Sequence, residues 1–398
     1  MAAEAPTSAI DPYADDFLAE PWADLAELRD LSNAVHLPQY DIWVVAGHDD
    51  VQAVLRDHET FGSNRGVGLT DLSSGDAWRP PSILVEADPP EHTVNRKVVA
   101  GTMTPRALKS LAEVFDRAAA RIVDELVERG RFDGVADLAE VFPTDVFPRA
   151  FGIDVGPETR RRLLAYGSMV FNGNGPPNEL FRAAMADAPE TAAWIAQQCS
   201  PDALNPNGIG AAIHAAAAEA GLDVEAGGML VRSFLSAGID TTVSGIAFAV
   251  RNLATHPDQW QRLRADHSRA RSVLEETIRL DCPVIGFYRT TTRDAEVGEV
   301  LIPAGKKVLA LYAGANRDPR RWSDPDLFDI DRQLGGHLGW GSGIHHCVGM
   351  VIARMEGESI LRAMAERIDT LAIVGEVRPR LNNSLRGLDV LPLEVTAT

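Results

Sequence analysis

A glycine-rich loop, GWGSGIHHCVG at residues 339–349, restricts what this chain can fold into more than any other segment. Gly339, Gly341 and Gly343 permit positive φ angles and a close approach of the backbone to a flat partner. Cys347 follows them, and cysteine occurs only three times in 398 residues. A scarce cysteine held in such a loop indicates a site rather than a simple connection.

The residues after Cys347 repeat apolar side chains at helical spacing, which predicts a helix from Cys347 to Ile368. Cys347 would then lie at a helix N-terminus. The free N–H groups and the dipole of such a terminus stabilise a thiolate, so we expect a lowered pKa for this thiol. A single sheltered thiolate suits a metal that takes one protein ligand, as haem iron does.

Three other interpretations of Cys347 remain open from the residues alone. A buried cysteine is often a small hydrophobic residue, although this leaves the glycines unexplained. A zinc site needs four ligands, and no CxxC or HxxxH pair accompanies this cysteine. A nucleophile needs a base, and His345 and His346 are too close in sequence to orient freely.

The composition narrows the class of protein. A chain of 398 residues with 45% hydrophobic residues can bury a large core, and its net charge of −19 argues against a nucleic-acid partner. Three widely spaced cysteines favour a reducing, cytoplasmic setting over a disulfide framework. The N-terminus lacks the pattern of a signal peptide, and the apolar stretch from Met229 contains Arg232 and Asp240, so no membrane span is predicted.

The periodicity predicts a mainly α-helical chain with minor β-structure, folded as a single domain over residues 1–398. Helices are expected over about Glu91–Arg129 with a break at Pro105, Leu222–Ala254, Asp258–Leu280 and Cys347–Ile368. Short strands are expected within Asp41–Gly47, Val297–Pro303 and Lys306–Tyr312.

The run from Trp340 to Gly349 resembles the haem-binding signature of the cytochrome P450 family, Phe-Gly-x-Gly-x-His-x-Cys-x-Gly. The resemblance implies a P450 fold, in which haem b lies between a long central helix and the cysteine loop. It places the axial thiolate ligand on Cys347 and a propionate-binding histidine on His345. Trp340 stands where the family has Phe, and we expect it to alter the surroundings of the sulfur.

Three further motifs fall in the family's order. Glu276 and Arg279 match the ExxR motif, where a shared helix face allows an ion pair, and Arg332 takes the place of its third member. The segments DPPEHTVNR and FYRTTTR complete the cations that the family uses for the haem propionates: His92, Arg96, Arg289 and His345.

The resemblance also assigns oxygen chemistry to the predicted helix over 222–254. Gly238 in mid-helix costs about 1 kcal/mol relative to alanine, and the family uses this position as a groove over the iron. Thr241 would donate a hydrogen bond in that groove and Asp240 would relay protons from solvent, which makes them the catalytic pair. Alternatively, Thr241 bonds back to the carbonyl four residues earlier, which leaves the adjacent acid unexplained.

Four segments, WRPPS, VFNGNGPPNEL, VRSFLS and FYRTTTR, are similar to a bacterial subfamily that oxidises para-substituted benzoates. The resemblance implies that Ser82 and Ser233 bind the carboxylate, with Ser236 close by. Arg79 and Arg232 would supply positive potential. A structural Asp or Glu partner for Arg232 is the alternative, because a buried charge needs one.

The remaining pocket residues follow from the same resemblance. Asn174 stands where the subfamily has a second phenylalanine, and we expect it to widen the pocket or to bond a ring substituent. Packing around the ring would come from Val85, Val170, Phe171 and Phe287.

The expected reaction is oxidation at the para substituent, above all O-demethylation of 4-methoxybenzoate to 4-hydroxybenzoate and formaldehyde. The alternatives are another benzoate, a cinnamate or a phenol as substrate, a peroxide-using enzyme, or a non-catalytic haem sensor. No flavin fingerprint is present, so electrons for O2 would come from a ferredoxin and its NAD(P)H-dependent reductase. The ferredoxin would dock on a basic patch formed by Arg354, Arg362 and Arg367.

Overall fold

Apolar residues at helical spacing produce sixteen α-helices in the computed structural model, which describes residues 5–74 and 79–398. Trp78, the first residue of the predicted WRPPS loop, lies outside these ranges. The helices are α1 (Asp15–Ala19), α2 (Trp22–Leu31), α3 (His48–Arg56), α4 (Glu91–Thr102), α5 (Pro105–Arg129), α6 (Val141–Phe151), α7 (Pro157–Asn172), α8 (Glu179–Ala184), α9 (Ala188–Gln198), α10 (Ile209–Glu219), α11 (Val224–Gly238), α12 (Asp240–Thr255), α13 (Pro257–Ala265), α14 (Ala270–Leu280), α15 (Tyr312–Asn316) and α16 (Met350–Arg367).

Strands form four small sheets in the described ranges. The largest has the order β1-β2-β8-β5-β3, with β2 and β8 parallel, and a second has the order β4-β12-β9. The hairpins β6–β7 and β10–β11 complete the set, so the chain is mainly α with minor β, as predicted. The strands are β1 (Val35–Leu37), β2 (Ile42–Val45), β3 (Phe61–Gly62), β4 (Arg131–Asp133), β5 (Phe287–Thr291), β6 (Ala295–Val297), β7 (Val300–Ile302), β8 (Lys307–Ala310), β9 (Ile368–Ile373), β10 (Arg378–Arg380), β11 (Gly387–Val390) and β12 (Pro392–Ala397).

Helix α12 runs through one of the two hydrophobic cores and packs against α14 and α16. The stretch Val224–Thr255 is apolar and long enough to cross a membrane, but 78% of its most apolar window is buried inside the fold. Such burial is what a core helix of a globular protein shows, because neighbouring helices cover its apolar surface on all sides.

The predicted helix over Leu222–Ala254 is wrong at one point, because α11 ends at Gly238 and α12 begins at Asp240. Local periodicity continues through Ile239 and does not show the break. A tertiary contact accounts for the glycine beside it: a Cβ on Gly238 would lie 2.4 Å from the ring of Phe147. The bend therefore lies where α6 approaches α11 most closely.

Two other helix boundaries also differ from the prediction. The helix expected over Asp258–Leu280 is two helices, α13 and α14, separated by a turn in which Asp266 accepts a hydrogen bond from Ser268 N–H at 3.1 Å. The helix expected from Cys347 begins at Met350 instead. The predicted break at Pro105 is confirmed, because α5 begins there.

A buried ion pair locks α14 to the irregular segment that precedes the cysteine loop. Arg279 donates to both carboxylate oxygens of Glu276, at 2.7 and 2.8 Å, and both side chains are fully buried. Arg332 donates to the same carboxylate at 3.0 Å. The three remaining Arg279 protons go to the carbonyls of Asn316 and Pro325, both at 2.8 Å, and of Leu327 at 3.2 Å. The guanidinium is therefore satisfied on every side.

Replacing Arg279 by Met is expected to lower the free energy of unfolding by about 3–5 kcal/mol, because it leaves the Glu276 charge buried with one partner fewer. Urea denaturation measures the change. The exposed pair Arg161–Glu158 provides the control, and Arg161→Ala should leave the free energy of unfolding nearly unchanged. Equal losses in the two variants would contradict a structural role for the buried pair.

Candidate active site

The cysteine loop folds as its glycines require. Gly341 and Gly343 have positive φ angles of 71° and 68°. Gly339 meets a different constraint, because a Cβ there would lie 2.5 Å from the side chain of Ile278. The N–H of Cys347 donates to Trp340 O at 2.9 Å, which closes the loop. The sulfur is thereby held at the end of a rigid turn.

Cys347 lies in surroundings that act on its thiol in opposite directions. Burial raises the pKa of Cys347 above its usual value, whereas the N–H groups of Gly349 and Met350 and the guanidinium of Arg96 lower it. Burial prevails, so the prediction of a lowered pKa from the helix terminus alone is wrong. Within residues 5–74 and 79–398 no group of three His, Cys, Asp or Glu side chains could share a metal with it.

A cavity separates the Cys347 loop from the bend between α11 and α12. The space, including its mouth to solvent, is about 1410 Å³. Pockets for one small ligand enclose roughly 300–1,000 Å³, so this one has room for a large flat group and a small second molecule. Helices α11 and α12 line one side, among others with Ala237, Gly238, Thr241, Thr242 and Gly245. The loop and α16 line the other, among others with Gly341, Cys347, Val348, Gly349 and Ala353.

Cations without acidic partners collect at one edge of this cavity. Arg96 and Arg289 both line it, and neither forms an ion pair with a carboxylate of the described residues. The rings of His92 and His345 lie 4.5 Å apart, and the Nε2 atom of each is buried without a hydrogen-bond partner in that part of the chain. Burial and the neighbouring Arg289 lower the pKa of His345 to about 2.

This edge fits the two propionates of a haem. Two guanidinium groups and two ring nitrogens lack partners that an anionic group would supply. Cys347 faces the same space as a single soft ligand, and glycines on both sides leave room for a flat ring. All five residues that the sequence assigned to the cofactor are therefore brought together.

Thr241 and Asp240, the predicted catalytic pair, lie in different surroundings. Thr241 lines the cavity, and its hydroxyl donates to Ala237 O at 2.7 Å, the alternative that the sequence left open. Asp240 is not part of the lining; its carboxylate faces Gly167 of α7, where a Cβ would lie 2.3 Å away. Burial raises the pKa of Asp240 to about 7, and its Oδ1 has no partner among the described residues.

The Oγ atoms of Ser82 and Ser233 lie 3.3 Å apart; Ser233 lines another part of the cavity, whereas Ser82 is not part of the lining. The Ser82 Oγ accepts from the N–H groups of Leu84 and Val85 at 3.3 and 3.2 Å, so its own proton is available for donation. The Ser233 hydroxyl donates to Met229 O at 2.9 Å. Two hydroxyls from distant segments thus lie next to each other, and their binding of a carboxylate stays a prediction.

The two arginines predicted to flank these serines differ in their charge balance. Arg79 donates to both oxygens of Glu86, at 2.6 and 2.8 Å, so a buried carboxylate offsets its charge. Arg232 forms no ion pair within residues 5–74 and 79–398; its guanidinium and that of Arg79 both lower the pKa of Tyr166, although burial raises it overall. Neither arginine lines the cavity itself. Of the two, only Arg232 keeps a charge that no acid of the described residues offsets.

The other predicted pocket residues are only partly placed in the lining. Val85, Phe171 and Phe287 line the cavity. Three do not: Val170 packs into the core, Ser236 donates to Ser233 O, and Asn174 lies behind the wall and donates to Ser384 Oγ at 3.4 Å. Sequence reasoning missed apolar lining residues that carry no polar signal, among them Leu84, Phe147, Phe234, Val284 and Tyr312.

The three arginines expected to form a basic patch for a redox partner are not free cations, so that prediction is wrong. Arg354 pairs with Glu275, Arg362 with Asp116, and Arg367 with Asp124. These acids lie on other helices, so the sequence does not show the pairing. Two exposed cations have no ion pair in the described ranges: Arg56, which donates to Ser342 Oγ of the loop at 3.3 Å, and Lys97 on α4, next in sequence to Arg96, which donates to His346 O of the loop.

Comparisons with known proteins agree with this geometry. A family model described as Cytochrome P450 matches residues 211–385. The curated protein Cytochrome p450 CYP199A2 of Rhodopseudomonas palustris is 47% identical over 98% of this chain and 95% of its own. The structure of CYP109Q5 from Chondromyces apiculatus aligns with a TM-score of 0.82 at 31% identity over 98% of both chains. Cytochrome P450 CREJ in complex with (4-ethylphenyl) dihydrogen phosphate aligns with a TM-score of 0.83 at 25% identity over 97% and 99%.

The pKa of Asp240 makes stability depend on pH. Between about pH 4 and pH 7 the unfolded chain carries an ionised Asp240 and the folded chain a protonated one, so folding stability falls as pH rises. Asp240→Asn removes this pH dependence. The free energy of unfolding of the variant, minus that of the parent, should therefore rise by on the order of 3 kcal/mol from pH 5 to pH 8. Urea denaturation at several pH values measures this, with exposed Asp154→Asn as the control. Parallel pH curves for parent and Asp240→Asn would contradict the burial effect.

Proposed function

The chain belongs to the cytochrome P450 family, and from this premise we propose that it oxidises small para-substituted benzoates, with O-demethylation of 4-methoxybenzoate as its reaction. Monooxygenase activity and a haem b with a cysteine thiolate ligand follow from the family. The substrate and the roles of individual residues are the proposal, and they rest on the contacts around the cavity.

One observation carries the choice of substrate: the hydroxyl of Ser233, which lines the cavity, lies 3.3 Å from that of Ser82, and the adjacent Arg232 has no acid partner in the described ranges. Two hydroxyls suit the two oxygens of a carboxylate, provided that Ser233 exchanges its bond to Met229 O for one to the substrate. Arg232 adds a positive potential that an anion would balance, since a half-buried charge without a partner is costly. A neutral substrate would leave that charge uncompensated.

The rest of the wall favours a flat apolar body. Val85, Phe171 and Phe287 present hydrocarbon surface, and edge or face contacts of the two phenylalanines suit an aromatic ring. A carboxylate fixed at Ser82 and Ser233 directs the opposite end of the ring away from them, into the space between Thr241 and Cys347. The para position is the position opposite a carboxylate on a benzene ring, so the para substituent is the part we place there.

When bound, the haem supplies activation of O2 and insertion of one oxygen atom into a C–H bond. Cys347 would hold the iron, and Arg96, Arg289 and His345 would hold the propionates. The overall balance is 4-methoxybenzoate, O2, two electrons and two protons giving 4-hydroxybenzoate, formaldehyde and water. A ferredoxin supplies the electrons, and the methyl carbon leaves as formaldehyde from a hemiacetal.

Thr241 and Asp240 are the groups we assign to proton delivery. The Thr241 hydroxyl faces the cavity and can exchange its bond to Ala237 O for one to an oxygen ligand. Asp240 is buried behind it, and a pKa of about 7 lets the carboxyl both release and regain a proton near neutral pH. The two differ in exposure to the cavity, so the acid would act through the alcohol or through water.

The structural neighbour in complex with (4-ethylphenyl) dihydrogen phosphate supports the class of ligand. That ligand is an aromatic ring with an anionic group at one end and an alkyl group in the para position. Our proposal places a carboxylate where that molecule has a phosphate. The three cysteines of this chain are all free, which accords with the cytoplasmic setting that we propose.

The substrate proposal predicts that 4-methoxybenzoate shifts the ferric haem from low to high spin and is converted to formaldehyde and 4-hydroxybenzoate in equal amounts. Ser82→Ala and Ser233→Ala should each raise the dissociation constant about tenfold, because each removes one hydrogen bond to a charged group. Optical titration and product analysis with a ferredoxin, its reductase and NADH measure these outcomes.

Ser236→Ala is the matched control for the serine variants, because its hydroxyl donates to Ser233 O outside the cavity lining. Its affinity for 4-methoxybenzoate should stay within about twofold of the parent value. A spin shift with neutral terpenes or fatty acids, and none with any benzoate, would remove the substrate proposal. Faster turnover with hydrogen peroxide than with the reductase chain would replace it by a peroxide-using enzyme.

The exposed cations beside the loop give a second prediction, for the electron donor. Arg56→Gln combined with Lys97→Gln should slow reduction by an acidic ferredoxin about tenfold at low salt, because charge complementarity governs the encounter rate. Arg362→Gln should change the rate much less, since Asp116 and Glu358 already offset that charge. Stopped-flow reduction measures the rates, and equal slowing in both variants would refute this docking face.

A further inference from the structure

Buried asparagines join the C-terminal end of α7 to the segment before β11. Asn383 donates its side-chain amide to Asn172 O at 2.9 Å and to Asn178 Oδ1 at 3.1 Å, and its N–H donates to Asn172 Oδ1 at 3.1 Å. Asn178 returns a bond to Asn383 Oδ1 at 2.8 Å. The two segments are about 210 residues apart in the chain and share four hydrogen bonds at this point.

Ser384 extends this connection to the cavity wall. Its hydroxyl donates to Phe171 O at 2.7 Å and accepts from Asn174 Nδ2 at 3.4 Å. Asn382 holds the segment from the other side, because its Oδ1 accepts from the N–H groups of Ser384 and Leu385 at 3.0 and 3.1 Å. Phe171 is the residue whose ring lines the cavity, so Ser384 is bonded to the backbone of a wall residue.

A third segment is fixed to the same point. The N–H of Leu69 donates to Asn174 O at 2.8 Å, and a Cβ on Gly68 would lie 2.8 Å from Asn174. Lys307 holds that segment in turn, since its ammonium group donates to the carbonyls of Gly66 and Gly68 at 2.9 and 3.1 Å. The end of α7 is therefore enclosed by two other parts of the chain.

The amides of this network are almost fully buried: Asn172, Asn174, Asn382 and Asn383 are 3–7% exposed. A buried amide that loses its partner is costly, so the network favours one arrangement strongly over displaced ones. Helix ends and loops of this kind are otherwise among the more mobile parts of a fold. The hydrogen bonds of these polar groups hold the end of α7 and Phe171 in one position, whereas apolar packing alone would let them shift.

We propose that Ser384 and Asn383 are positioning residues that fix Phe171 and so set the largest para-substituted acid that the cavity accepts. Asn174 belongs to this network and acts on the substrate only through Ser384 and the α7 backbone. The proposal rests on the proposed benzoate activity for its choice of ligands. It adds a specificity determinant that lies behind the wall and touches no substrate.

The test compares Ser384→Ala, which removes the donor to Phe171 O, with Ser384→Thr, which keeps a hydroxyl. Dissociation constants for 4-methoxybenzoate and the bulkier 4-butoxybenzoate come from optical titration of the ferric holoenzyme. Ser384→Ala should shift the ratio of the two constants about tenfold towards the bulkier acid, and Ser384→Thr should stay within about twofold of the parent. Asn207→Ala, at an exposed position, is the control. The same ratio of the two dissociation constants in Ser384→Ala and in this control would overturn the proposal.

Amide hydrogen exchange of residues 168–175 gives a readout that needs no benzoate. Exchange should be about tenfold faster in Ser384→Ala than in Ser384→Thr, because the Phe171 carbonyl loses its bond from a hydroxyl at position 384 in the first variant only. Unchanged exchange overturns the positioning role. Faster exchange in a protein that binds no benzoate supports the positioning role and refutes the substrate proposal instead.

Asn178→Asp is the second test variant, to be used if Ser384→Ala does not fold. It keeps the acceptor that caps Phe181 N–H at 3.0 Å but loses the donor to Asn383. The ratio of dissociation constants should move in the same direction by about threefold, as expected for one hydrogen bond of the outer part of the network. No shift in this variant would count against the network as a unit.

Discussion

Two arginines, Arg96 and Arg289, bring positive charge to one edge of a largely apolar cavity, and no acid of the described residues pairs with either. Such charges need an anionic partner, because desolvation without compensation is costly. The histidine rings beside them are likewise without partners at Nε2. This edge is built for a ligand with two acidic groups, and the cysteine opposite the bent helix completes the requirements of a haem.

The substrate end of the cavity uses a weaker version of the same principle. The Oγ atoms of Ser82 and Ser233 lie 3.3 Å apart and Ser233 lines the space, whereas the charge of Arg79 is offset by Glu86 and that of Arg232 has no acid partner in the described ranges. In the proposed complex, neutral donors would bind the carboxylate without burying a full ion pair. Such binding would avoid the desolvation cost of a direct guanidinium contact and would let the product leave after turnover.

The sequence motifs identified the candidate haem and substrate residues, but they did not predict which side chains surround those residues. The ligand Cys347, the cations of the propionate edge and the convergence of Ser82 with Ser233 follow from residues whose function requires them. The partners of Arg79 and Arg362 could not be predicted, because Glu86 and Asp116 reach them only through tertiary folding. The bend at Ile239 and the burial that raises the pKa of Cys347 likewise arise from packing, on which local periodicity carries no information.

A crystal structure of the haem-loaded protein with 4-methoxybenzoate tests the central claim most directly. The account predicts that the carboxylate oxygens lie within hydrogen-bond distance of Ser82 Oγ and Ser233 Oγ, with the ring between Phe171 and Phe287 and the methoxy carbon towards the iron. A reversed molecule, with its carboxylate at Arg289 or towards Cys347, would contradict the account.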